Sequence, residues 1–219
     1  MAPFIEVSDE TLRTLNPTVY TLRNDLVPKQ DVETPQVEVV SEPYIEVPEL
    51  GLAIAKQTTH FNETQGKQKG LLTRENARML ETQEFVGFRN FLATHPENRE
   101  YQEILDEIEG VRAPWRGENL DAYFVRKQGK LWIVTQRNPE GEPLEDCLME
   151  DGYADVWGSA NSQGLPTESA DSGTYFWYPR EDSVARLGAD PGGSGLGCND
   201  GPGCRGPALG VRAAKQLKQ

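Results

Sequence analysis

Only two stretches of this chain carry a helical period; elsewhere hydrophobic and polar positions alternate in short bursts or not at all. Phe85, Phe88 and Leu92 recur along one helix face, with Thr82 as the cap and His95-Pro96 as the stop. A second helix is predicted over about 97–109, with Tyr101, Ile104, Leu105 and Ile108 on one side and Gly110 closing it. "EVPELGLAIAK", residues 46–56, reads as buried strand with a turn at Leu50-Gly51. Residues 123–126 and 131–137 flank Lys127-Gln128-Gly129-Lys130 as a hairpin. Residues 174–178 are strongly strand-forming, and 184–187 and 209–212 read as short strands. Residues 57–73 and 138–173 read as loop. The predicted class is α+β, with two helices, short strands and high loop content. Loops this long persist when tied to a rigid scaffold, and they often carry function.

Residues 1–45 follow a different pattern. Phe4-Ile5-Glu6-Val7 alternates like a strand, and Ser8 opens a helix start with acids in its first turn. Prolines 28, 35, 43 and 48 then punctuate residues 24–48, which favours an extended arm. The expected organisation is an N-terminal arm or linker over 1–45, suited to assembly or attachment, followed by one domain over 46–219.

Charge narrows the partners. The chain has 219 residues and a formal net charge of −13, which disfavours nucleic acid and anionic membranes. No apolar run approaches the roughly 20 residues that span a bilayer, and the start lacks a secretory pattern. Display at a cell surface or virus particle by another route and residence in the cytoplasm both stay open.

Candidate chemistry is sparse. His60 and His95 stand in no metal-ligand spacing, and His95 suits a helix end. Cys198 and Cys204 could bridge or bind a soft metal, but a zinc site needs about four ligands and no partner pair is visible. Glu145-Asp146, Glu150-Asp151 and Glu181-Asp182 could gather for calcium or simply form a solvated acidic surface. The glycines near the C-terminus lack the Lys-Ser/Thr of a phosphate loop. No cofactor is assigned.

Coding restriction changes the picture. From Ser183 to Ala214 there is no Glu, Lys, Gln, Trp or Met, although the rest of the chain uses all five. Every type that remains can be encoded by a codon ending in cytosine; those five cannot. Such a bias is expected where codons of the AAC kind are randomised at their first two bases. The stretch also holds a frame: Ser183-Val184-Ala185-Arg186, Ala189, Leu196, Cys198, Pro202 and Leu209-Gly210-Val211-Arg212-Ala213. With "EPLEDCLMED", "WGSANSQGLP" and "YFWYPR" upstream, this frame resembles the target (variable) proteins of diversity-generating retroelements, particularly an archaeal and archaeal-virus group. The resemblance covers about residues 45–214, with Leu187 where the group has Phe.

That resemblance implies a C-type lectin fold, in the branch shared with formylglycine-generating enzymes, and a variable region at about 183–214. It implies ligand binding without catalysis: a reverse transcriptase copies a template with errors at adenines and overwrites the end of the gene, so exposed side chains change on a fixed backbone. The ligand would be a protein or surface molecule of unknown identity. Val184, Ala185, Leu196, Leu209 and Val211 are then expected inward, with Arg212 on an internal carboxylate or backbone carbonyls. The diversified, outward positions are Gly188, Asp190, Gly192, Gly193, Gly195, Gly197, Asn199, Asp200, Gly201, Gly203, Cys204 and Arg205. With so many glycines this variant is expected to bind weakly or not at all, with Arg205, Asn199 and Asp200 as its only strong polar handles; Trp157 and Tyr153 could supplement them but are read as core. Two alternatives remain: a copper oxidase using Cys198 and Cys204, and a calcium-dependent glycan-binding lectin, of which Cys198-Asn199-Asp200 is a weak echo.

Overall fold

The computed structural model describes residues 43–110 and 114–217. The chain divides into Met1–Ser41 and Glu42–Gln219, and the description concerns the second unit. The expected strand at residues 4–7, the helix from Ser8 and most of the extended arm lie outside the described residues. The last part of that arm is strand. β1 (Tyr44–Val47) pairs antiparallel with β2 (Leu52–Thr59) across a single 3₁₀ turn, Pro48–Leu50, that Gly51 closes in the left-handed region at φ +64°. The domain therefore takes in residues assigned to the linker, because Ile45 and Val47 bury their side chains in the core.

The architecture is mixed α and β, with three α-helices among the described residues where the period predicts two. α1 (Gln65–Arg74) lies in the stretch read as loop. Thr64 caps it by accepting the Lys67 N–H, and its inward face is Gln65, Gln68 and Leu72. Two of those three are polar, so no hydrophobic period marks the helix; it is held by hydrogen bonds, Gln65 Nε2 donating to the Leu120 carbonyl and Gln68 Nε2 to that of His60. α2 (Thr82–Ala93) buries Phe85, Phe88 and Leu92 as expected. Its cap is Glu81, not Thr82, through a reciprocal capping box with Glu84. α3 (Arg99–Glu109) starts at Asn98, buries Ile104 and Ile108, and stops at Gly110.

Eleven strands share one hydrogen-bonded network. β3 is Arg78–Met79, β4 Arg116–Lys127, β5 Lys130–Val134, β6 Glu142–Pro143 and β7 Gly152–Ala154. β8 is Thr174–Trp177, β9 Ser183–Asp190, β10 Gly193–Asp200 and β11 Leu209–Gln216. The main path runs β1-β2-β11-β4-β9-β10-β8-β7. The principal core lies between helices α2 and α3 and one face of this path, and includes Phe124, Phe176, Leu187 and Leu196. A smaller core of Ala55, Leu72, Ala77, Met79, Val211 and Ala213 sits under α1.

The C-terminal region departs most from expectation. The glycine-rich segment before the last strand is a β-hairpin, β9–β10, with Pro191-Gly192 as its loop. Asp190 Oδ1 accepts the Gly192 N–H at 2.6 Å and fixes that turn. Only residues 201–208 remain irregular between β10 and β11.

Candidate functional site

The site is built on cross-strand register. Gly117 of β4 pairs with Gly188 of β9, Gly188 with Gly195 of β10, Gly195 with Tyr175 of β8, and Tyr175 with Tyr153 of β7. One row of the sheet is thus glycine on three adjacent strands and tyrosine on the next two. The neighbouring row runs Asn119, Arg186, Gly197 and Trp177. Side chains in a row share a face. The opposite face of the hairpin carries Leu187, Ala189, Leu196 and Cys198, each at most 3% exposed. Over residues 187–190 and 195–198, inward positions therefore alternate with positions on the cleft side, whereas the frame residue Arg186 itself stands on the cleft side.

The result is a cleft of about 560 Å³ with a glycine floor and aromatic walls. Trp115 leans over Gly117 and Gly188 from one side. Trp177, Tyr175 and Tyr153 form a ladder on the other, with ring centroids 4.6 Å and 5.3 Å apart. Trp115, Tyr153 and Trp177 keep 40%, 43% and 36% of their surface exposed, unusual for rings this large. Tyr153 is a wall of the cleft and not core, because its strand is the last in the path. Trp157 is half-buried against the core, with the Arg89 guanidinium over its ring.

Two buried arginines hold the platform. Arg186 donates Nε to Asn119 Oδ1 at 2.7 Å and Nη2 to the Gly201 carbonyl at 3.0 Å, and pairs through Nη1 with Asp200 at 3.1 Å. Asn119 passes the link on to Gln68 Oε1. Arg212 grips Glu118 with both carboxylate oxygens, at 3.0 and 2.7 Å, and also donates to the Ala55 carbonyl at 3.0 Å. Arg212 thus takes both kinds of partner expected of it. Its backbone acceptors lie where β2 slips register against β11, so the guanidinium satisfies carbonyls that the ladder leaves over.

The twelve positions expected to be diversified do not share one environment. Gly188, Asp190, Gly192, Gly193, Gly195, Gly197, Asn199 and Asp200 line the cleft, whereas Gly201, Gly203, Cys204 and Arg205 are exposed on the following loop. Three of the eight differ from the expectation of a freely variable, outward side chain. Gly193 has φ +127°, a conformation L side chains rarely adopt. Gly195 and Gly197 face outward but are buried, because the Trp177 ring lies over Gly195, its Cη2 only 3.0 Å from where a Cβ would stand. The polar handles are also fewer than expected. Asp200 is engaged by Arg186, and Arg205 does not line the cleft. The aromatic rings supply the contact area that the glycines lack.

What a Cβ would meet separates two kinds of glycine. At Gly203 it would meet nothing within 4 Å, at Gly201 only Cys204 Sγ at 3.8 Å, and at Gly197 and Gly192 carboxylate oxygens of Asp200 and Asp190. At Gly188 and Gly195 the close atoms belong to tryptophan side chains, and the nearest backbone atoms stand at 3.4 Å. Gly210 is different: Thr59 O would stand at 3.0 Å and Phe61 Cε1 at 2.7 Å. Gly164 at φ +79° would drive a Cβ to 2.5 Å from the Thr82 carbonyl carbon.

The remaining candidates are accounted for individually. Cys198 is fully buried and Cys204 exposed; both, with Cys147, are free thiols. Burial pushes the Cys198 thiol well above its usual range, with Cys147 and Asp200 adding to it. Four of the six acidic residues read as calcium candidates are spent separately: Glu145 on Ser162, Asp151 on Arg180 and the Tyr178 N–H, Glu181 on Arg126, Asp182 on Tyr123. Among the described residues, no three His, Cys, Asp or Glu gather as a metal site. His95 Nδ1 bonds the Phe91 carbonyl at 2.8 Å, the helix-end role its position suggests. Among the described residues, no helix is long and apolar enough to cross a membrane.

The signal that could have located the cleft is Asp190-Pro191-Gly192-Gly193, a turn sequence between two runs of alternating small and apolar residues. Trp115 carries no sequence signal for its role. Compared with known proteins, the chain matches no family model, no curated protein and no solved structure.

Proposed function

We propose that this chain displays a diversified ligand-binding surface on a C-type lectin-like scaffold, as the target protein of a diversity-generating retroelement. Its function is then binding, with no reaction catalysed. The observation that carries this reading is the alternation along the β9–β10 hairpin. Positions in the sequence frame, Leu196 and Cys198, pack into the core and Ala189 is buried; the positions between them, Gly188, Gly195 and Gly197, lie on the cleft side, the last two beneath the Trp177 ring. A mutagenic process confined to the second set changes the surface and spares the fold. Space at the glycines agrees with the same division: a Cβ at Gly201 or Gly203 meets no atom closer than 3.8 Å and one at Gly188 or Gly195 no backbone atom closer than 3.4 Å, whereas at frame glycine Gly210 the Thr59 carbonyl oxygen stands at 3.0 Å beside the Phe61 ring.

A library experiment tests this. Codons 188, 190, 195, 197, 199 and 200 are randomised in one pool, and codons 187, 189, 196 and 198 in another, and folded members are scored by protease resistance. A majority folded in the first pool and a small minority in the second is the expected result; equal survival overturns the reading. Sequencing the neighbouring DNA is the independent check, where a near-copy of the gene's 3′ end carrying adenines at the first set of codons is expected beside a reverse transcriptase.

A further inference from the structure

We infer that in this variant the cleft takes an organic cation whose charge is spread over an apolar head, a quaternary ammonium or a guanidinium. This deepens the proposed function, since it rests on the outer face of the hairpin being the ligand-binding surface. The glycine floor leaves the walls to decide the chemistry. Gly188 and Gly195 are cross-strand partners, so the rings of Trp115 and Trp177 stand over adjacent strands, with Tyr175 one strand further on. Aromatic faces converging on one space attract a cation through the negative potential above each ring.

The charges lining the cleft agree. They are Asp190, Asp200 and Arg186. The Arg186 guanidinium is 6% exposed and turns its donors to Asn119, Gly201 and Asp200, so it offers an anion little. Asp190 sits at the open end beside the hairpin turn, with one oxygen on the Gly192 N–H. A net charge of −13 steers cations toward the molecule and anions away. A volume of about 560 Å³ has room for such a head group and its substituents. A neutral sugar would gain stacking from the same rings and hydroxyl hydrogen bonds to the carboxylates, but no attraction between charges from either.

The test follows the four indole N–H signals of the ¹⁵N-labelled full chain, assigned with single Trp→Phe variants. The probes are choline, arginine amide, the neutral isostere 3,3-dimethylbutan-1-ol and methyl glucoside, at constant ionic strength. Saturable shifts of the Trp115 and Trp177 signals at millimolar choline or arginine amide are expected, with Trp132 and Trp157 unmoved. Choline alone would assign a quaternary ammonium, and arginine amide alone a guanidinium. The neutral alcohol should bind about tenfold more weakly than choline, and Asp190→Asn should weaken choline about threefold. Gly195→Val, which pushes Trp177 off the floor, should abolish the shifts while the other indole signals keep their positions. Equal affinity for alcohol and choline, binding of the glucoside alone, or no saturable shift overturns the inference. The library result stands or falls separately, so the two failures are distinguishable.

Discussion

Gly195 and Gly210 belong to the same C-terminal stretch and meet opposite conditions. Gly210 lies between strands, where a Cβ would press on the Thr59 carbonyl and the Phe61 ring. Gly195 lies on the outer face, where a Cβ would press only on the movable Trp177 ring. One glycine is required by a close backbone approach; the other leaves space that an aromatic ring has filled. The difference separates scaffold from surface within a single sheet, and it is measurable.

The hardest blow to the scaffold is expected at Arg212. Arg212→Met strips Glu118 of its bidentate partner in a site where both side chains are almost wholly buried. Stability should fall by about 3–5 kcal/mol in urea unfolding, since an uncompensated carboxylate is left inside. Next come the boxed glycines. Gly164→Ala combines a strained left-handed residue with backbone overlap and should cost about 2–4 kcal/mol. Gly195→Ser and Gly203→Ser should each stay within about 1 kcal/mol by the same measurement. A loss at Gly195 as large as that at Gly164 would erase the distinction between the two kinds of glycine.

Acid sharpens the comparison further. Burial alone would raise the Glu81 carboxyl, but hydrogen bonds from Arg137, Thr135 and Gln83 and the Arg137 charge outweigh it and hold the group below the usual 4.5. A depressed folded value means stability that is present above the unfolded value and lost as the pH falls through the folded one. Urea midpoints should therefore drop below about pH 4.5, and Arg137→Gln should flatten that slope by removing the largest lowering influence. Smallest in energy is thiol accessibility. Burial, with a contribution from Asp146, pushes Cys147 up to about 11, and burial also raises the thiol of Cys198, which lies wholly inside. Thiolate is the reactive form. Iodoacetamide at neutral pH should label Cys204 alone in the native protein and all three thiols once it is unfolded. Rapid native labelling of Cys198 would place it on the surface side and undo the in-and-out pattern.

Much of the helical scaffold was legible before any coordinates. Phe85, Phe88 and Leu92, or Ile104 and Ile108, announce a buried face because apolar side chains repeat at the helical period. α1 was not legible, because two of the three residues it buries are Gln65 and Gln68, whose partners lie on the distant β4 strand and the preceding loop. The hairpin β9–β10 was hidden for a related reason. Its strand period survives in Leu196 and Cys198, but the alternate positions are glycine, which reads as loop. The candidate positions were named from coding restriction and a recurring frame, and nothing in either told Gly193, bound by its φ, from Gly195, bound by nothing but a ring.

The chain's own order of residues was enough to mark a frame near the C-terminus and the candidate positions between its members, since amino-acid usage and frame are properties of sequence alone. The tertiary structure alone decided what those candidate positions face. Trp115, Tyr153, Tyr175 and Trp177 come from three separate stretches, and only strand pairing sets them around Gly188 and Gly195. Cross-strand register depends on every contact in the sheet at once, so no local pattern could foretell that a row of glycines would become the floor of an aromatic cleft.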